Sequence, residues 1–197
     1  MCAAGEISAD LVTAMRTLLI ALLCVLAACS PQVSAPSANP KLDKLFAQLA
    51  AAGNSADASV IEKKIWAIWG ESGSPTVDIL LERAQAAEAA GDLPRARSLL
   101  DKAADILPDY AEIYDRRAVL AVHAENSDSA LADINETLKR EPRHFAALAA
   151  LGMIYENQGH KKAAIAAYED ALKIDPFLDE AKQGVGRLKP KVEGQGA

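Results

Sequence analysis

The chain has 197 residues, a net charge of −6, 5% aromatic residues and three cysteines. The acidic balance argues against nucleic acid as a partner, because phosphate binding needs a basic face. Abundant alanine with few aromatics argues for close-packed helices over sheets. Cys2, Cys24 and Cys29 all lie near the N-terminus, so no disulfide can staple a domain downstream of them.

The first feature in chain order is LLIALLCVLAACS, residues 18–30. Its apolar run is well short of the roughly 20 residues that a bilayer-spanning helix needs. Met15-Arg16 supplies a basic start and Ala27-Ala28 supply small residues at the end, the pattern of a secretory signal peptide. Leu26-Ala27-Ala28-Cys29 resembles the lipobox of bacterial lipoproteins. The resemblance implies cleavage before Cys29 and lipidation of its thiol. Residues 1–28 are then the signal peptide and Cys29 the lipidation site. Cys24 follows the bulkier Leu22-Leu23 and fits that pattern less well. Ser30 after Cys29 implies sorting to the outer membrane, with the domain in the bacterial periplasm. Glu6 and Asp10 do not suit a signal peptide, so Met15 is read as the start rather than Met1. With Met1 the lipobox is unchanged. Two alternatives stay open: ordinary cleavage near Ala28, and an uncleaved leader on a cytoplasmic adaptor or chaperone-like binding module.

Residues 29–40 read as a flexible tether, since SPQVSAPSANP has three prolines and no core-forming pattern. Residues 41–70 follow as a helix pair. Leu42, Leu45, Phe46 and Leu49 form one apolar stripe, and Ile61, Ile65, Ile68 and Trp69 form another. The pair is read as a degenerate N-terminal repeat. Trp66 and Trp69 are expected to seal it against the first full repeat.

A ruler of 34 residues then organises the chain. Pro108, Pro142 and Pro176 keep that spacing, as do Ala96, Ala130 and Ala164. Ala84, Ala118 and Gly152 follow it, and so do Leu100, Ile134 and Tyr168. Gly91 and Gly159 mark one turn, with Glu125 between them. This pattern resembles the tetratricopeptide repeat (TPR). The resemblance implies an all-α, right-handed solenoid of antiparallel helix pairs, with repeats at 77–108, 111–142 and 145–176. First helices are expected at 75–90, 109–124 and 143–158, and second helices at 94–107, 127–141 and 161–175. Each proline stops a second helix, since it lacks an N–H and restricts the residue before it. Ser74-Pro75 is a good helix entry, and Asp109 with Glu112 reads as a capping box. A capping helix at 177–188 and a disordered tail at 189–197 complete the chain. SGSPTVD and EPRHFAALAALG are also similar to a family of small TPR proteins common in alphaproteobacteria, a likeness that implies no particular activity.

No catalytic constellation stands out. His123, His144 and His160 show no i, i+4 pair, and no Cys, Asp or Glu cluster completes a metal site. They read as surface or cap histidines. Gly184-Val185-Gly186 follows no strand and is too short for a phosphate loop. No enzyme activity, cofactor or metal is expected, with a cell-wall-related enzyme as the distant alternative. Arg117 is expected to bridge to Asp133 between the two helices of the middle repeat.

The TPR resemblance places a partner-binding groove on the first helices. Its second, fifth, ninth and twelfth or thirteenth positions give Asp78, Leu81, Gln85 and Glu88 in the first repeat. They give Glu112, Asp115, Val119, Val122 and His123 in the second, and Ala146, Ala149, Met153, Glu156 and Asn157 in the third. The Lys/Asn set that clamps a C-terminal carboxylate in chaperone-binding TPRs is missing apart from Asn157. The expected partner is a protein or peptide with apolar anchors and basic flanks. A groove that is merely solvated, or filled by a segment of the same chain, is the alternative. The reading is of a lipid-anchored periplasmic scaffold for assembly, secretion or protease-adaptor work. Its membrane contact is expected through the lipid anchor only.

Overall fold

The computed structural model describes residues 39–193. The expected signal peptide, Cys29, most of the expected tether and residues 194–197 lie outside them. Nine helices and no strand occur among the described residues. They are α1 (Pro40–Ala50), α2 (Ser55–Trp69), α3 (Pro75–Ala89), α4 (Leu93–Ile106), α5 (Ala111–His123), α6 (Ser127–Arg140), α7 (Phe145–Asn157), α8 (Lys161–Ile174) and α9 (Asp179–Glu193). No described helix is long and apolar enough to cross a membrane.

Helix starts follow local side-chain chemistry. Asn39, Asn54, Ser74, Asp92 and Asn126 each accept a backbone N–H from the first turn of the helix that follows. The capping box expected at Asp109 is not formed: the residue before α5 is Tyr110, whose side chain caps nothing. The chain there is held instead by the Tyr110 and Tyr114 hydroxyls, which donate to the carbonyl oxygens of Trp69 and Pro108. Within each repeat the turn between helices closes with a bond from the sixth residue back to the first, as in Asp92 N–H to Ala87 O and His160 N–H to Tyr155 O. Gly91 and Gly159 take the left-handed backbone this requires, at φ 77° and 79°. The middle repeat puts Glu125 there, at φ 55°.

From α3 onward the chain is an all-α solenoid. Each pair α3/α4, α5/α6 and α7/α8 packs tightly, and α4 against α5 and α6 against α7 join one pair to the next. Small residues meet large ones at the crossing of each pair. Ala84 and Leu100 lie in the first core cluster, and Ala118 and Ile134 in the second. The third pair shifts the balance, with Gly152 facing Tyr168. A Cβ on Gly152 would sit 2.6 Å from a Tyr168 ring carbon, and a Cβ on Gly184 of α9 would overlap the opposite edge of the same ring. The ring is thus clasped between two glycines. α9 outruns the expected capping helix and continues through Glu193 despite Pro190. Buried Leu188 and a Lys189–Glu169 pair at 3.4 Å hold its last turns.

The largest departure from the sequence expectation is the seat of α1 and α2. They do not stack on α3/α4 as a preceding repeat. They lie across the proline turns that join the repeats. Leu42, Phe46, Leu49, Ile65 and Trp69 form one cluster with Phe145, together with Ala146, Ile174, Phe177 and Leu178. Arg143 ties the docked pair from the α6–α7 turn. It bonds Asp43 at 2.6 Å and covers the Phe46 ring at 4.4 Å. Gly73, at φ 71°, turns the chain between α2 and α3. The cause is apolar: the turns expose Phe145, Phe177 and Leu178, and the stripes of α1 and α2 cover them.

Candidate functional site

The first helices α3, α5 and α7 stand side by side. Ile113, Tyr114 and Leu120 of α5 join the core of α3, and Ala118 and Ala121 pack with Ala147 and Ile154 of α7. This wall carries the expected groove residues, but they divide into two groups.

One group is withdrawn from solvent. Leu81 and Ala149 are buried in the helix-pair cores. Ala146 is covered by the α1–α2 cluster. Glu112 is buried and faces His144 Nε2 at 3.2 Å. Position along a helix identifies a face, but cannot tell how deeply a neighbour covers it.

The second group stays accessible on the C-terminal halves of the first helices. Gln85, Val119, His123 and Asn157 are exposed, and Glu88, Val122, Met153 and Glu156 are half-buried. Asp78 is exposed at the start of α3 and accepts the Ser72 hydroxyl. His123 Nδ1 meets Glu88 at 2.9 Å, linking α5 to α3. Glu156 accepts the Tyr168 hydroxyl at 3.0 Å and Arg187 of α9 at 3.0 Å. The Arg187 hydrogen bond holds the Glu156 carboxyl below its ordinary value. The accessible strip is therefore apolar at Val119, Val122 and Met153, with carboxylates at both ends.

Sequence spacing missed a buried hub at the start of α7. His144 is fully buried, and its Nδ1 accepts the Ala147 N–H at 3.1 Å, capping the helix. That bond leaves the proton of the neutral ring on Nε2, facing Glu112. The Trp69 indole stacks on the imidazole, 4.3 Å between centroids and 6° from parallel. Asp115 lies 3.8 Å from Nδ1. Contrary to the sequence expectation, a carboxylate cluster does converge on a histidine: Glu112, Asp115 and His144 bring ligand-capable atoms within 4.8 Å of one another. Both ring nitrogens face protein groups, so the arrangement is that of a structural cap. Burial opposes charging of His144, but the Glu112 bond and the Asp115 charge outweigh it and raise its pKa. Burial likewise raises the Asp115 carboxyl. The detectable signal was the repeat ruler, since residues 112 and 144 sit near the starts of consecutive first helices.

Trp66 and Trp69 meet edge to face at 5.2 Å. Trp69 is core, while Trp66 stays 37% exposed. Both seal the helix pair against His144 and Phe145 rather than against the first repeat. Arg117 does reach Asp133, at 3.0 Å, and Arg97 adds a second contact at 3.1 Å.

A family model for the tetratricopeptide repeat matches residues 71–111 and 116–179. A TPR repeat-containing protein of Rhizobium etli is 37% identical over 160 residues, covering 80% of this chain and 78% of that one. Among solved structures, the Sgt2 TPR domain from Aspergillus fumigatus superposes with a TM-score of 0.57 at 24% identity, covering 62% of this chain and 83% of that one. The first TPR of Spaghetti (RPAP3), bound to the HSP90 peptide SRMEEVD, gives 0.57 at 18% identity, covering 61% of this chain and 95% of that one. At these identities the two structures speak to fold alone.

Proposed function

Because the chain belongs to the tetratricopeptide repeat family, a fold of protein–protein interaction scaffolds, we propose that it holds an extended peptide or helix of a protein partner against the C-terminal halves of α3, α5 and α7. The observation that carries this reading is the accessible strip of Val119, Val122 and Met153 flanked by Glu88 and Glu156. Apolar anchors with basic flanks complement it. The RPAP3 domain holds an acidic peptide tail on the same fold. Apart from Asn157 this chain lacks the Lys/Asn set that suits a carboxylate, and the carboxylates beside its strip suit basic flanks instead.

Residues 29–40 are the tether in this reading, and Cys29 carries the lipid that fixes the scaffold to the periplasmic face of the outer membrane. The lipobox-like Leu26-Ala27-Ala28-Cys29 and the proline-rich segment after it support that placement. One acyl chain anchors weakly and two or more anchor stably.

The test is a photo-crosslinking amino acid at Val119 or Met153 in the native cell, with Ile106 as an exposed control on α4. A common adduct from both groove positions, absent at Ile106, is expected, and the Met153 adduct should be lost in Val119→Asp. Adducts of equal yield at all three sites would overturn the groove reading. Intact mass of the native protein tests the anchor separately: an N-terminus at Cys29 with acyl mass supports it, and an unmodified chain beginning before residue 18 refutes it.

A further inference from the structure

The α1–α2 pair has an outer face unlike the rest of the molecule. Residues 40–69 hold four lysines against three carboxylates, while residues 70–193 hold sixteen Lys and Arg against twenty-two Asp and Glu. The carboxylates of the pair are turned away or occupied. Asp43 bonds Arg143 at 2.6 Å, Asp57 bonds the Asn54 side chain at 2.8 Å, and Glu62 is half-buried, with its pKa raised by burial and then by the nearby Asp175 charge. Among the described residues no carboxylate lies within 4.0 Å of Lys41, Lys44, Lys63 or Lys64. Lys41, Lys44 and Lys64 instead ring one shallow cleft between the helices, whose floor is Leu45, Ala67 and Ile68. Val60, 53% exposed, lies one turn before Lys64 on the same helix face.

We propose that this face is a membrane-contact surface, seated on the headgroup layer of anionic phospholipids, with its lysines at the phosphates and Leu45, Ile68 and Val60 toward the acyl boundary. Interfacial binding combines buried apolar area with attraction to anionic lipid, and long lysine stems reach past apolar neighbours to place their charge. The acidic remainder is repelled by such a surface, so contact through α1–α2 also orients the scaffold. The chain geometry agrees: Cys29 precedes Asn39 by ten residues, a reach of at most about 35 Å. The proposal rests on the Cys29 anchor only for bringing the face to a membrane; the lysine cleft stands without it.

The test is partition of the full chain onto phosphatidylcholine vesicles, with and without about a third phosphatidylglycerol, for the natural chain and for Lys41→Gln/Lys44→Gln/Lys64→Gln. Each lysine near an anionic surface is worth about fivefold in binding. The natural chain is expected to prefer anionic vesicles, and the triple variant to lose about 100-fold on them while holding its partition on neutral ones. Salt should remove the same preference. Equal partition of the natural chain on both vesicles overturns the proposal, as does an unchanged triple variant. A preference of the natural chain for polyglutamate with none for anionic vesicles also overturns it, in favour of an acidic protein partner. Binding to neutral vesicles reads the anchor and the apolar contact without the lysine charges, and the difference between anionic and neutral vesicles reads the lysines, so failure of the anchor and failure of the lysine face are separate results.

Discussion

Two glycines on α9, one residue apart, should respond to alanine with opposite signs. In a helix interior alanine is favoured over glycine by about 1 kcal/mol. At Gly186 a Cβ would meet nothing within 4 Å, so Gly186→Ala should stabilise by about 0.5–1 kcal/mol. At Gly184 the new Cβ would overlap Cε2, Cδ2 and Cζ of Tyr168. The ring cannot slide away, because Gly152 leaves 2.6 Å for a Cβ at its opposite edge and Glu156 holds its hydroxyl at 3.0 Å. Overpacking of this kind costs about 1–3 kcal/mol, more than the propensity gain. Gly184→Ala should therefore destabilise by about 1–2 kcal/mol. A kcal/mol moves Tm by about 2–4 °C in a domain of this size, so the two variants should melt about 3–12 °C apart by circular dichroism. Tyr168→Leu in the Gly184→Ala background should recover part of the loss, a coupling that a double-mutant cycle reads directly. Equal stabilisation by both alanines would refute the clasp.

Trp69→Ala removes a buried indole packed on Phe46, His144 and Phe145. It should cost about 3–5 kcal/mol in urea unfolding and raise amide exchange across α1 and α2; a loss below about 1 kcal/mol would show that the pair is not docked through this residue. Glu125→Gly relieves a left-handed backbone at φ 55°, worth about 1–2 kcal/mol for a residue with a Cβ and partly offset by glycine's greater freedom when unfolded. A net gain in midpoint denaturant is expected, and a loss would mean that the Glu125 side chain holds the turn. Glu62 has its pKa raised by burial and then by the Asp175 charge. The folded state thus binds its proton more tightly than the unfolded state does. The stabilising proton is present at low pH and lost as pH rises from the ordinary glutamate value through the raised one. Glu62→Gln should flatten stability across that window and be the more stable form at pH 7; an unchanged pH profile would refute the raised Glu62 pKa.

The solenoid was legible because its physics repeats. Proline at 108, 142 and 176 and alanine at 96, 130 and 164 answer the same steric demand three times, so a ruler finds them. The seat of α1 and α2 answers a demand that occurs once. Asp43 and Arg143 are 100 residues apart, and no period links them. Both apolar stripes were readable, but a stripe states that a face is covered and not by what. The same holds at the groove. The resemblance located the wall, while Glu112 and Ala146 were lost from it to His144 and the docked pair, contacts that local pattern does not encode. Where a site depended on one helix pair, as at Arg117 and Asp133, sequence reasoning named both partners.

The docked pair also alters how the molecule comes apart. In a simple array of repeats each unit touches only its neighbours, so an end can unravel while the middle stays folded. Here α1 reaches α8 and the α8–α9 turn. The chain's first described helix is bolted to its third repeat. The docked pair cannot leave without exposing Phe145, Phe177 and Trp69 together, which turns a one-dimensional stack into a closed circuit. Unfolding should then be a single cooperative step rather than a procession of repeats. The same long-range closure raises the contact order, and with it the entropic cost of reaching the native state. Slower folding thus accompanies resistance to partial unfolding.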